Sequence, residues 1–174
     1  MASLLRRILE RGILTEDLGA GELEQLGSRL AARARKLFGR SLWLREVDAG
    51  SCNGCEIEIV NLTGPHYDME RFGFKIVASP RHADALLVTG PVTRNMELAL
   101  RQTLEATPRP RLVIAVGDCA ITGGCFGSSY AVVGPVHRVV PVDLEIPGCP
   151  PTPADLLRGL LAALERLPRR GRKS

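Results

Sequence analysis

Five cysteines carry the chemical interest of this sequence of 174 residues: Cys52, Cys55, Cys119, Cys125 and Cys149. Cys52 and Cys55 form a C-x-x-C. Cys119 and Cys149 stand alone far downstream, and Cys125 lies in the glycine-rich run GGCFG. Four thiolates suit an iron–sulfur cluster or zinc. Structural zinc usually takes two closely spaced pairs, so one pair with two distant singles fits a cluster bound by separated loops better. A thioredoxin-like dithiol at Cys52 and Cys55 is a third reading, weakened by the two further cysteines in equivalent loops. Gly50, Gly54, Gly117, Gly123, Gly124 and Gly148 crowd these cysteines. Glycine lets the backbone approach a metal centre closely and aim N–H groups at its sulfides. Pro150 directly follows Cys149, and a Cys-Pro step also closes the bacterial ferredoxin run. Cys125 has no partner by spacing and reads as a small buried apolar residue.

Other polar residues carry less. Glu56 and Glu58 follow the C-x-x-C at once. A carboxylate beside a redox centre can relay protons, but a solvated helix face is the simpler reading. His66, His82 and His137 are scattered without ligand spacing and read as surface or satisfied histidines. No G-x-G-x-x-G follows a strand and no Walker A loop is present, so nucleotide binding has no positive support.

The elements that must position the cysteines follow from periodicity. Leu4, Leu5, Ile8 and Leu9 share one face of a short helix, with Arg6, Arg7 and Arg11 elsewhere. A second helix runs through ELEQLGSRLAARARKLF, its apolar stripe Leu23, Leu26, Leu30, Ala34 and Leu37, with Gly39 as the stop. From Ser41 short strands and helices alternate. LWLREV is a strand ending in the turn DAGSCNGC, and EIEIVNLTG is a short helix despite its isoleucines. FKIVAS and DALLVTG are strands, TRNMELALRQTLEA is a helix and RLVIAVGD is a buried strand. HRVVPVDLEIPG contains a further extended segment. PADLLRGLLAALERL is the last helix, with Thr152 as N-cap, Pro153 first in the helix and Pro168 ending it. Alternating strands and helices predict an α/β fold with a mostly parallel sheet. The cysteines then follow strand ends. Open parallel sheets bind ligands beyond the carboxyl ends of their strands, so four thiols can converge on one edge. The predicted organisation is a helical extension over 1–40, an α/β domain over 41–168 and a basic tail over 169–174.

Composition narrows the function. One domain of this length, 45% hydrophobic, can bury one substantial core. The net charge of +4 is mild and lies largely at the ends, and only seven residues are aromatic. There is no evident platform for stacking bases, so no nucleic-acid partner is expected. No apolar run approaches the length that crosses a bilayer, and MASLLRRILERG does not read as a secretory signal. A cytoplasmic chain is expected, where thiols stay reduced and five cysteines point to metal or redox chemistry.

SCNGCEIE, SPRHADALLVTGPVTRNM, VGDCAITGGCF and IPGCPPTP, in that order, resemble the small subunit of membrane-bound, energy-converting nickel–iron hydrogenases, with the formate hydrogenlyase small subunit a close comparison. The B subunit of NADH–quinone oxidoreductase is similar and belongs to the same wider family. The resemblance covers roughly Leu42 to Leu167. It implies a flavodoxin-like, doubly wound fold and one 4Fe–4S cluster, with Cys52, Cys55, Cys119 and Cys149 matching the four ligands and Cys125 matching none. The respiratory B subunit carries two adjacent cysteines where this chain has C-x-x-C, which places the chain on the hydrogenase side. Exported uptake hydrogenases are similar but carry a twin-arginine signal and further cluster domains, neither found here. Their acidic residue two places after the C-x-x-C is replaced by Ile57, while Glu58 matches the glutamate of the respiratory branch.

The resemblance further implies an electron-transfer oxidoreductase subunit with the active site mainly on a hydrogenase-type large subunit. A ferredoxin-like electron-transfer subunit and membrane subunits would complete the complex, at the cytoplasmic face of the membrane. A quinone-reducing respiratory subunit and a zinc-stabilised interaction module are the alternatives. Ile121, Phe126 and Tyr130, near the cysteine edge, are the expected contact residues.

Overall fold

The computed structural model describes residues 20–127 and 129–166. The short helix expected from Leu4 to Leu9 and the basic tail lie outside them.

The first described helix, α1, spans Ala20–Phe38. Its apolar stripe is buried at Leu30, Ala34 and Leu37, and Gly39 follows with a positive φ of 69°, the left-handed conformation that ends helices. Then come β1 (Leu42–Asp48), α2 (Gly54–Thr63), β2 (Phe74–Ile76), β3 (Ala85–Thr89), β4 (Val92–Thr93), α3 (Arg94–Ala106), β5 (Leu112–Val116), α4 (Asp118–Thr122), β6 (Val132–Gly134), β7 (Leu144–Ile146) and α5 (Pro153–Arg166). Thr152 caps α5 as its sequence predicts. Its hydroxyl accepts from the Asp155 N–H at 3.3 Å and donates to the Asp155 carboxylate at 2.6 Å.

Five strands form one parallel sheet in the order β2-β1-β3-β5-β7. Counted along the chain this is 2-1-3-4-5, the flavodoxin-like order. β3 and β5 are buried at every position, which explains why ALLVT and LVIAV read as continuous apolar runs rather than alternating ones. Helices cover both faces. Leu44, Leu87 and Ile114 pack under α1, α2 and α5 with Leu30, Ile59 and Leu157. Leu86, Val88 and Val113 pack on the other face with Leu100 and Leu104 of α3.

α1 belongs to this packing. Gly27 lies where a Cβ would fall 2.2 Å from the Phe72 ring. Arg33 donates to the carbonyls of Leu164 and Glu165 at 3.2 and 3.3 Å, satisfying acceptors at the end of α5. At the amino edge of the sheet Arg40 grips Asp84 with two 2.9 Å bonds and lies 4.3 Å over the Trp43 ring.

Three segments differ from expectation. FKIVAS is a strand only to Ile76, although Val77 still donates to the Leu44 carbonyl at 2.8 Å. HRVVPVDLEIPG is strand only at Leu144–Ile146, and Val136–Arg138 is a 3₁₀ turn. β4 and β6 form a small antiparallel pair with no local sequence signal. Among the described residues no helix is long and apolar enough to cross a membrane.

Candidate metal centre

Four cysteines sit on loops at the carboxyl edge of the sheet. The loop after β1 carries Cys52, with Cys55 in the first turn of α2. Asp48 shapes this loop, its Oδ1 accepting from the Gly50 and Ser51 N–H groups at 2.8 Å each. Ser51 Oγ accepts from Asn53 N–H at 3.0 Å. Asn53 adopts φ 71°, the left-handed region that asparagine tolerates better than most residues. The loop after β5 carries Cys119 on α4, a single turn that the sequence reading had not placed. The loop after β7 carries Cys149. These last two loops are stitched together, because Asp118 N–H donates to the Gly148 carbonyl at 2.9 Å and Asp118 Oδ1 accepts from Gly148 N–H at 2.9 Å.

The thiols feel one another. Burial pushes Cys55 up to about 12, helped by the negative charges of Glu56, Cys52, Cys119 and Cys149. Burial also raises Cys119, followed by Cys149, Cys125 and Cys52. Neighbouring thiolates are costly to ionise together, and a cationic iron core would offset their charge. Glycine opens the space. A Cβ at Gly117 would lie 2.5 Å from Cys55 Sγ, and one at Gly124 would lie 2.6 Å from Cys119 Sγ. Among the described residues no three His, Cys, Asp or Glu side chains converge to hold a metal ion.

Two sequence readings change here. Cys125 is exposed rather than a buried apolar residue, because it sits on the short 3₁₀ turn Gly124–Phe126 between glycines with nothing packed over it. Glu56 is buried rather than on a solvated face. Neither of its carboxylate oxygens has a hydrogen-bond partner. The spacing Glu56, Ile59, Leu62 puts it on the inward side of α2, a helical period that could have revealed it. Glu58 is half-buried and accepts from Asn61 at 3.2 Å. His66 stacks edge-on against Tyr67 and His82 against Trp43, while His137 is exposed. Phe126 and Tyr130 are exposed.

The family model described as NADH ubiquinone oxidoreductase, 20 Kd subunit, matches residues 52–163, a span that holds all five cysteines. The chain belongs to the NADH ubiquinone oxidoreductase 20 kDa subunit family. It is 49% identical over 146 residues to the probable membrane-bound hydrogenase subunit mbhJ of Pyrococcus furiosus, covering 84% of this chain and 87% of that one. It is 48% identical over 141 residues to formate hydrogenlyase subunit 7 of Escherichia coli, covering 81% of this chain but only 55% of that longer one. Among solved structures it superimposes on a chain of the membrane-bound sulfane sulfur reductase, an archaeal respiratory membrane complex. The TM-score is 0.65 at 36% identity, over 79% of this chain and 74% of that one. The NAD⁺-reducing [NiFe]-hydrogenase shares the fold, with a TM-score of 0.59 at 20% identity, over 75% and 95%. This 20 kDa subunit family member is therefore a subunit of an oxidoreductase, and its hydrogenase-side resemblance is borne out by the relatives.

Proposed function

We propose that the chain holds one 4Fe–4S cluster on Cys52, Cys55, Cys119 and Cys149 and carries electrons between it and the active site of a hydrogenase-type large subunit. The observation that supports this most is the placement of these cysteines after β1, β5 and β7 at one sheet edge, with glycine backbone close against two of their sulfurs. When bound, the cluster accepts and gives up one electron at a time, at a potential set by burial and by hydrogen bonds to sulfur. The chain's own part is to hold the thiols, bring glycine backbone close and present an apolar rim. Zinc fits less well: structural zinc usually takes two closely spaced pairs, whereas this chain has one pair and two distant single cysteines.

Similarity to chains of membrane-bound complexes supports the rest of the reading. The large subunit covers the cysteine edge. A ferredoxin-like subunit exchanges electrons with the cluster, and membrane subunits hold the complex at the cytoplasmic face, with this chain peripheral. In this reading residues 41–168 are the iron–sulfur domain, with an N-terminal extension over 1–40 and a basic tail over 169–174. The similarity to a sulfane sulfur reductase chain supports a second reading, in which the partner reduces sulfane sulfur and the same relay serves that reaction.

The experiment is to purify the complex anaerobically and record visible and electron paramagnetic resonance spectra with nickel analysis. Serine at Cys52, Cys55, Cys119 or Cys149 should abolish or convert the 4Fe–4S signal, while Cys125→Ser should keep it. An unaltered signal from Cys119→Ser refutes the ligand set. Stoichiometric nickel decides for hydrogenase, and reduction of sulfane sulfur by the complex for the second reading.

A further inference from the structure

We infer that Asp118 is a positioning residue that sets the separation of Cys119 and Cys149. The inference rests on the reading that these two cysteines hold the cluster.

The β5–β7 ladder pairs Ile114 with Leu144, Ala115 with Glu145 and Val116 with Ile146. It runs on past both strands, with Gly117 N–H donating to the Ile146 carbonyl at 2.8 Å. At the next step a regular parallel ladder would bond the Gly148 N–H to the Gly117 carbonyl and the Cys119 N–H to the Gly148 carbonyl. Here Asp118 instead holds both polar groups of Gly148. Its main-chain N–H donates to the Gly148 carbonyl at 2.9 Å, and its Oδ1 accepts from the Gly148 N–H at 2.9 Å. Gly148 is held at φ 138°, where a Cβ would meet Pro151 Cα at 2.5 Å, so no other residue takes its place without moving the loop. A cysteine follows each half of this clasp directly: Cys119 after Asp118, Cys149 after Gly148. The two ligands thus leave a closed two-bond ring rather than two independent loops.

The function of Asp118 lies in the acceptor that holds the Gly148 N–H, and an amide oxygen in the same position would serve.

The test compares Asp118→Ala and Asp118→Asn in the anaerobically purified complex. The readout is the loss of the cluster's visible absorbance in the presence of an iron(II) chelator, without turnover. Leaving the Gly148 N–H without its acceptor supports a rate difference of about tenfold. Asp118→Ala should lose iron about tenfold faster than wild type, while Asp118→Asn should stay within about twofold, because its Oδ1 still accepts from Gly148. Equal rates for wild type and Asp118→Ala overturn the inference. So does Asp118→Asn losing iron as fast as Asp118→Ala, since charge rather than the acceptor would then be responsible. If Asp118→Ala does not assemble, hydrogen exchange on the wild-type complex decides: the Gly148 amide should be protected, and free exchange overturns the clasp. A wild-type complex without 4Fe–4S absorbance overturns the cluster reading and this inference together, whereas the other adverse outcomes overturn the inference alone.

Discussion

Glu56 sits against the rules of protein interiors, and replacing it should stabilise the fold. The residue is 9% exposed, and both carboxylate oxygens are shut off from solvent without a partner. An unsatisfied buried polar group costs about 1–3 kcal/mol. As an acid in the first turn of α2, Glu56 recovers about 0.3–1 kcal/mol from the helix dipole. Glu56→Met keeps a long unbranched side chain of good helix propensity and removes both effects, for a net gain of about 1–2 kcal/mol. In a chain of this length each kcal/mol moves the midpoint by about 2–4 °C, so Tm should rise by roughly 2–8 °C. The assay is thermal unfolding of the metal-free full chain by circular dichroism near neutral pH. A second observable is local: burial, then the charge of Glu56, raises the Glu46 carboxyl. In Glu56→Met, carbon-13 NMR should find Glu46 titrating lower. An unchanged or lower Tm would show that Glu56 has a partner in solution and refute the reasoning.

Two further outcomes are expected. Cys55 is pushed up to about 12 from 9.0, burial first and neighbouring negative charges after. The folded metal-free chain therefore favours the protonated thiol. Its contribution is fully present below about pH 9 and is lost as pH climbs toward about 12, because the unfolded thiol ionises first. Denaturant melts between about pH 8 and about pH 11 should show this decline, and Cys55→Ala should flatten it. Gly117→Ala and Gly124→Ala each place a methyl group within 2.6 Å of a cysteine sulfur at a positive φ. Strain of about 1–2 kcal/mol per left-handed residue should lower cluster occupancy about tenfold by iron assay. Gly39→Ala, also at positive φ but with nothing within 4 Å, should leave occupancy unchanged.

What the sequence made legible was whatever repeats along the chain or punctuates it. The buried runs ALLVT and LVIAV, the stripe of α1 and the cap at Thr152 follow from local periodicity and chemistry, and they lead to a parallel sheet with cysteines beyond its strand ends. What stayed hidden depends on contacts between distant segments. VVG pairs with Val92 and Thr93 about forty residues earlier, and such pairing has no local signature. The clasp between Asp118 and Gly148 likewise joins loops that only the sheet brings together. Glu56 is a different case. Its helical phase relative to Ile59 and Leu62 was readable, but the chemical preference of a carboxylate for water outweighed it.

The outer strands of the sheet, β2 and β7, are three residues long each, while β1, β3 and β5 between them have seven, five and five. A sheet that tapers in this way has little free backbone at its margins to template a further strand. Strand addition, a common route by which one chain captures another, is therefore closed to it at both sides. For a subunit that meets this sheet, side chains on the flanking loops and helices then carry the contact. Recognition is then encoded residue by residue, and can diverge by single substitutions without disturbing the ladder that holds the cysteine loops in register.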